Sequence, residues 1–321
     1  MHPGLRLQAL APGRAELQHG IFHSLVPRLQ SGNESKHIMR KTQPGKHICI
    51  MQRLSNLKWR RYKEFRLYCS DDMFAALCNK GLDCGKWLGN NSYAVKSNKK
   101  KESGSIVWPD GETFFYKKFS VDSLLNKLIN LFRDRAQRAF KMSLQLVRAG
   151  ISVPCPAAII KDMKQGSVYY ICEELSNTRT LSSYVKAVNS PEKVENIMKR
   201  FAFEIADFHK AGFFHGDMNW KNIMIDADSE SKSYYIDLDT AGKLSSARDT
   251  RYAMDLARFS IDIAEKTSGR DYISVFIMAY AGAAGVSCKT LIKSMKPYHR
   301  KIAAKHKTKY DSNIPSLTLN S

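Results

Sequence analysis

Apolar positions at helical spacing run from Ser123 to Ala149, where Leu124, Leu128, Leu131, Phe132, Ala136, Ala139, Phe140, Leu144 and Val147 fall on one face. Gly150, Pro154 and Pro156 end that helix. Upstream the pattern is extended. Ser92 to Lys96, Ile106 to Trp108 and Thr113 to Phe119 read as strands, with the polar loop KSNKKKESGS between the first two and a Pro109-Asp110-Gly111 turn before the third. Val168 to Glu173 is a further strand, leading into Glu174-Leu175. Downstream the pattern turns helical at Thr180 to Val188, Val194 to Ala211, Tyr252 to Lys266, Tyr272 to Ala284 and Cys288 to Lys305. Between these helices, Ile223-Met224-Ile225 reads as a short buried strand. Its hairpin partner is Tyr234 to Leu238, across the polar turn Asp226 to Ser233. Asp72 to Gly81 reads as a short helix or turn. Strands followed by helices predict an α+β chain with a small antiparallel-sheet lobe and a mostly helical lobe.

Residues 1 to 50 show no sustained period and are expected to carry little order. Met39 and Met51 are both candidate starts, the first segment then being an upstream extension. Gln52 to Tyr68 mixes basic and aromatic residues. It is expected as an arm that packs Trp59 and Phe65 on the body, with a membrane-facing segment as the alternative. The expected division is a basic extension over 1–70, a sheet lobe over 71–175, a helical lobe over 176–310 and a tail over 311–321.

Charge sharpens this picture more than composition does. Of a net +21, residues 1–70 contribute +10 (13 Lys/Arg against 3 Asp/Glu) and residues 286–310 contribute +8 (8 Lys/Arg and no acid). Basic ends suit an anionic surface, whether phosphorylated lipid, an acidic leaflet or nucleic acid; solvated tails without a partner are the alternative. Seven cysteines without metal-ligand spacing read as reduced thiols of a cytosolic protein. The most apolar run, Tyr272 to Val286, is short and rich in Ala and Gly, which predicts a packed helix rather than a membrane span. No secretory signal is expected.

The stretch that carries chemistry is HGDMNWKNIMID, residues 215–226, followed by YYIDLD, residues 234–239. His215, Asp217 and Asn222 have the H-x-D-x-x-x-x-N spacing of a kinase catalytic loop. In that arrangement Asp217 takes the proton of an attacking hydroxyl and Asn222 binds Mg2+ on the nucleotide phosphates. The expected hairpin brings Asp237 beside Asn222 as a second metal ligand. In TFFYKKF, Lys117 ends a tetrad like V-A-I-K and is the candidate for the α- and β-phosphates of ATP; Lys118 points to the opposite face. Glu173 and Leu175 flank the segment where a kinase hinge binds adenine. After Asp237 only a short loop precedes the helix from Tyr252, which carries Asp255 and Arg258. No long activation segment and no A-P-E stretch is present, which disfavours an ordinary regulated protein kinase.

PDGETFFYKKF, LFRDRAQRAFKMSLQLVRAGISVPCP, YYICEEL, HGDMNWKNIMI and YYIDLD together resemble the Kdo/WaaP-type lipopolysaccharide core kinases, over roughly residues 85–300. The resemblance implies a two-lobed protein-kinase-like fold and transfer of phosphate from ATP to a sugar hydroxyl (Kdo or heptose) of the lipopolysaccharide inner core. It implies a lipid A or core precursor as acceptor, no nucleic-acid partner, and work at the cytoplasmic face of the inner membrane. By position it makes Asp217, with His215, catalytic. Asn222 and Asp237 become Mg2+ ligands, Lys117 the phosphate-binding lysine, and Asp239 a further metal or acceptor contact. Two departures stand out. No Glu occurs in the Ser123–Ala149 helix, where the lysine's partner would lie near Ala139. Asn219 also stands where protein kinases place a lysine two residues after the catalytic Asp, and Lys221 is either its substitute or a solvated lysine. The alternatives are a kinase for another small-molecule or protein acceptor, and a pseudokinase that binds anionic membrane.

Overall fold

A computed structural model describes residues 54, 56–79, 84–98, 101–119, 131–246, 249–268, 271–310, 314 and 317. The expectations for residues 1–50 and for 123–130 lie outside these. The first described elements are β1 (Lys58–Tyr62), β2 (Phe65–Cys69), α1 (Asp71–Asn79), α2 (Cys84–Asn91), β3 (Ser92–Asn98), β4 (Lys101–Val107), β5 (Thr113–Phe119), α3 (Leu131–Arg148), β6 (Pro156–Asp162) and β7 (Val168–Glu173). The seven strands form one antiparallel sheet in the order β1-β2-β6-β7-β5-β4-β3.

Alternation along β5 explains why both faces of this sheet are covered. Phe114 and Tyr116 enter a core with Phe65, Leu67, Trp87, Trp108 and Ile171, while Phe119 enters a second core with Ala136 and Phe140 of α3. Side chains two apart share a face, so Lys117 projects to the α3 side with Phe115 and Phe119. Helix α3 stops at Gly150, whose φ of 77° suits glycine, and the Ile151 N–H returns to the Leu146 carbonyl (2.9 Å).

Two expectations about this lobe are corrected. Lys58 to Cys69, expected within a basic arm, forms two strands of the sheet, paired from Lys58 with Cys69 to Tyr62 with Phe65. The burial of Phe65, Leu67 and Cys69 on one face is the strand period that the surrounding basic residues hid. The segment KSNKKKESGS is not a loop either. Its ends pair as strand, with Ser97 opposite Glu102 and Lys96 opposite Ser103, and the register shifts between Ala94 and Lys96. Gly104 sits there because a Cβ would run into the Tyr93 carbonyl.

The second lobe begins with β8 (Thr178–Thr180), α4 (Leu181–Lys186), α5 (Pro191–Lys210) and β9 (Phe213–Phe214). It continues through a 3-10 turn at Trp220–Asn222, β10 (Ile223–Asp226), β11 (Ser233–Tyr235), a 3-10 turn at Leu238–Thr240 and β12 (Gly242–Lys243). Three helices close it: α6 (Arg251–Lys266), α7 (Tyr272–Ala284) and α8 (Cys288–Tyr310). Ser190 caps α5 by accepting the Lys193 N–H (3.3 Å), with Pro191 in the first turn. The core of this lobe stacks Phe259 on Phe276 (centroids 4.7 Å) and buries Trp220. Among the described residues no single helix is long and apolar enough to cross a membrane.

Candidate active site

The loop from Gly212 to Asn222 is held by α6. Asp255, fully buried, accepts the backbone N–H of His215 (2.6 Å) and of Gly216 (2.8 Å), and lies 3.3 Å from His209 Nε2. Two turns further along α6, Asp262 accepts the Trp220 N–H (2.7 Å) and pairs with Lys266, whose ammonium lies over the Trp220 ring. Two buried carboxylates thus satisfy amides that would otherwise be orphaned in the loop. Gly216 has φ 82°, and a Cβ there would stand 2.6 Å from the Thr240 carbonyl oxygen, so the loop passes this point only as glycine.

His215 is buried. Its Nε2 lies 3.0 Å from the Ile236 carbonyl oxygen, and its Nδ1 accepts the Asp217 N–H (3.3 Å). Those partners assign the proton to Nε2 and use both ring nitrogens on backbone. The ring ties the Asp217 loop to the strand end that carries Asp237. Asp217 itself is half exposed at the loop's crest. Asn222 Nδ2 donates to its backbone oxygen (3.0 Å) and to its Oδ2 (3.2 Å), while Arg258 Nε stands 3.6 Å from Oδ1. Asn219 is turned into the loop, accepting the Lys221 N–H (3.0 Å).

The hairpin between β10 and β11 pairs Ile223 with Tyr235, and the Ile236 N–H bonds the Asn222 carbonyl (2.9 Å). Asp237 follows with φ 58°, a left-handed residue at the strand's exit. Lys117 bridges the lobes: its ammonium is 2.6 Å from Asp237 Oδ1 and 2.8 Å from Asp239 Oδ2. Burial alone would push this lysine down, but the two carboxylates outweigh it and hold it above the ordinary lysine range. Lys118 faces the other way, 3.9 Å from Glu102 Oε2 and over the Tyr169 ring.

These groups open on a cavity of about 480 Å3 between the lobes. Phe115, Tyr170, Cys172, Leu175, Met224 and Ile236 give it apolar walls, and Lys117, Asn222, Asp237 and Asp239 form its polar end. Glu173 also lines it, its N–H bonded to the Cys155 carbonyl (2.8 Å). Ala139 of α3 lines the cavity as well, and Lys117 takes its carboxylates from the Asp237–Asp239 segment instead of from that helix. The expected residues Asp217, Asn222, Lys117, Asp237, Asp239, Glu173 and Leu175 therefore lie in or beside one cleft, with His215 behind them. What sequence reasoning missed is the work of α6. Asp255 and Arg258 were visible only as polar residues on a helix, and their spacing to the loop is set by the fold.

A small antiparallel sheet over a helical lobe, with an H-x-D-x-x-x-x-N loop and a lysine facing two aspartates across the cleft, defines the protein-kinase-like α+β class. Within that class, the family model of the lipopolysaccharide kinase (Kdo/WaaP) family matches residues 110–280, and the chain belongs to that family. It is 34% identical over 114 residues to a 3-deoxy-D-manno-octulosonic acid kinase of Vibrio parahaemolyticus, covering 35% of this chain and 45% of that protein. A protein of the same name from Xylella fastidiosa is 24% identical over 165 residues, covering 50% of this chain and 65% of the relative. The matches thus span about half to two thirds of those relatives. A solved structure of WaaP in complex with acyl carrier protein shares the fold, with a TM-score of 0.54 and 17% identity over 74% of this chain and 96% of that one.

Proposed function

We propose that this chain transfers the γ-phosphoryl group of ATP to a sugar hydroxyl, of Kdo or heptose, in the lipopolysaccharide inner core. The observation that carries the reading is the convergence of Asp217, Asn222, Asp237 and Lys117 on one cleft in a chain of this family. Asp217, half exposed at the loop's crest, is the group to accept the proton of the acceptor hydroxyl. His215 is a positioning residue, since both ring nitrogens are used on backbone. The apolar walls suit an adenine. With the Glu173 N–H spent on Cys155, the hinge contact falls to Leu175.

Among the described residues there is no cluster of three metal-binding carboxylate, His or Cys groups. The donor set still fits Mg2+, which takes one or two carboxylates plus phosphate oxygens and keeps several waters. Asn222 and the half-exposed Asp237 would hold it. The metal supplies charge neutralisation on the phosphates. Asp239 is the more buried partner of Lys117, with its side chain 12% exposed against 43% for Asp237. We assign it to hold the lysine for the phosphates in place of the missing acid on α3, a role that differs from the metal contact expected above. That arrangement removes the main ground for a pseudokinase.

The lipid-borne acceptor and the positive charge at the chain's ends support work at the cytoplasmic face of the inner membrane. The test is a panel of acceptors incubated with labelled ATP and Mg2+. Label on Kdo- or heptose-bearing lipid A–core precursors, and none on a soluble aminosugar or a protein, is the expected result. Label only on one of the latter overturns the acceptor assignment.

A further inference from the structure

Away from the cleft, the far edge of the large sheet carries three cations in a row. Arg61 on β1 stands opposite Arg66 on β2, and Arg66 stands opposite Lys161 on β6. Directly opposed residues share a face, so the three form a ladder of like charge across three strands, an arrangement that weakens a sheet. Both arginines are exposed, and among the described residues neither forms an ion pair with a carboxylate. Arg61 Nε donates to the Lys63 carbonyl (3.4 Å), and the Arg66 guanidinium lies over the Trp59 ring (5.5 Å to the centroid). Lys161 Nζ approaches the same ring at 4.6 Å.

Trp59 packs on Tyr68 (5.3 Å between centroids), which packs on Phe140 of α3, yet it remains 37% exposed. The other three tryptophans, Trp87, Trp108 and Trp220, are at most 5% exposed. Met163, 46% exposed, follows β6 and is tied to the β1–β2 turn through its N–H to the Glu64 carbonyl (3.0 Å). Two exposed arginines without a carboxylate partner among the described residues, interleaved with two outward apolar tips, match a surface that is anionic on the outside and apolar beneath. Duplex nucleic acid offers the first property without the second, and Met163 gives an unstacked base no ring to stack on.

We propose that the Arg61–Arg66–Lys161 ladder, with Trp59 and Met163, is a docking surface for an anionic phospholipid bilayer. The cations take lipid phosphates while the two apolar side chains enter the headgroup layer. This deepens the reading of a lipid-borne acceptor and rests on it, but none of the five residues lines the nucleotide cavity.

The test uses the full chain and vesicles of phosphatidylethanolamine with phosphatidylglycerol. The variant Arg61→Gln/Arg66→Gln/Lys161→Gln is compared with Lys293→Gln/Lys296→Gln/Arg300→Gln, which removes the same charge from exposed positions on α8. At roughly fivefold per cation near the surface, the ladder variant is expected to bind on the order of a hundredfold more weakly. The α8 variant is expected to lose several-fold less. Tryptophan fluorescence of the wild type shifts to the blue on vesicles, and Trp59→Ala abolishes the shift. Arg66→Gln alone serves if the triple variant does not fold, and is expected to bind about fivefold more weakly. Stabilisation by Mg-ATP, measured on each variant, reports an intact body.

Equal losses in the two triple variants overturn the proposal, as does a blue shift that survives in Trp59→Ala. A larger loss for a single-stranded oligonucleotide than for vesicles also overturns it, and assigns the face to nucleic acid. Vesicle binding by a wild type that transfers no phosphate to any glycolipid leaves the surface standing and removes the acceptor reading.

Discussion

Lys117 is where the two lobes meet electrostatically, and its neighbours have separable tasks. Lys117→Met removes the ammonium that Asp237 and Asp239 share. The expected outcome is loss of stabilisation by Mg-ATP in a melting experiment, with a fold that still melts cooperatively. Asp239→Asn separates anchoring from metal binding: KM for ATP rises while Mg2+ dependence is kept, whereas Asp237→Asn shifts the Mg2+ requirement itself. A rise in Mg2+ requirement from both variants alike would return Asp239 to the metal. Asp255 belongs to a different category. Asp255→Ala strips the His215 and Gly216 amides of their acceptor, at about 1–3 kcal/mol for each unsatisfied group. Thermal melting should show this as a large fall in stability, accompanied by loss of activity. The identities of Asp217, Asn222 and Asp237 were legible because a short motif holds them at set spacings. Asp255, Arg258 and Asp262 were not, because a carboxylate on a helix says nothing about which distant backbone amides it meets.

The helices after the cleft followed from periodicity, and β5 and β7 span the residues expected of them, β5 by its alternation and β7 as a continuous apolar run. The two corrected elements were polar ones, and the apolar strand β6 was not read at all, because the prolines before it suggested only a helix end. The β3–β4 hairpin is held by backbone pairing to β5, with Ser103 opposite Lys117 and Gly104 opposite Tyr116, so side-chain polarity gave no sign of it. The β1–β2 hairpin hides an apolar face under a basic one. Loop elements have their own supports. In the short segment between β12 and α6, Asp249 accepts from the Arg251 guanidinium and from the Ser245 N–H (2.8 Å). The Arg251 guanidinium, with these backbone donors, holds the Asp249 carboxyl well below its usual range. A carboxylate whose acidity is strengthened by folding stabilises the protein above its unfolded pKa of about 3.9, and that contribution fades as pH falls through the folded value. Melting temperatures recorded from pH 6 downward should therefore fall less steeply below about pH 4 in Asp249→Asn than in the wild type. Parallel curves would contradict this role.

At the scale of the whole molecule, the chain places its chemistry between two lobes and its excess charge elsewhere. The cleft carries Asp217, Asp237 and Asp239 beside the largely covered Lys117. The sheet edge and α8 carry exposed lysines and arginines. Phosphoryl transfer depends on positioning and neutralisation of charge, and a cleft that holds its acids apart from the general basic surface suits the reaction proposed. The central question is whether Asp217 takes a proton from a lipid-borne sugar. The most direct measurement is phosphate transfer from labelled ATP to purified lipid A–core precursors by wild type and Asp217→Ala, with Mg-ATP stabilisation recorded for both. The account predicts transfer by the wild type, a loss of about 10²–10⁴-fold in the variant, and stabilisation retained by both. Transfer undiminished in Asp217→Ala, or ATP hydrolysis by the wild type with no label on any glycolipid, would contradict it.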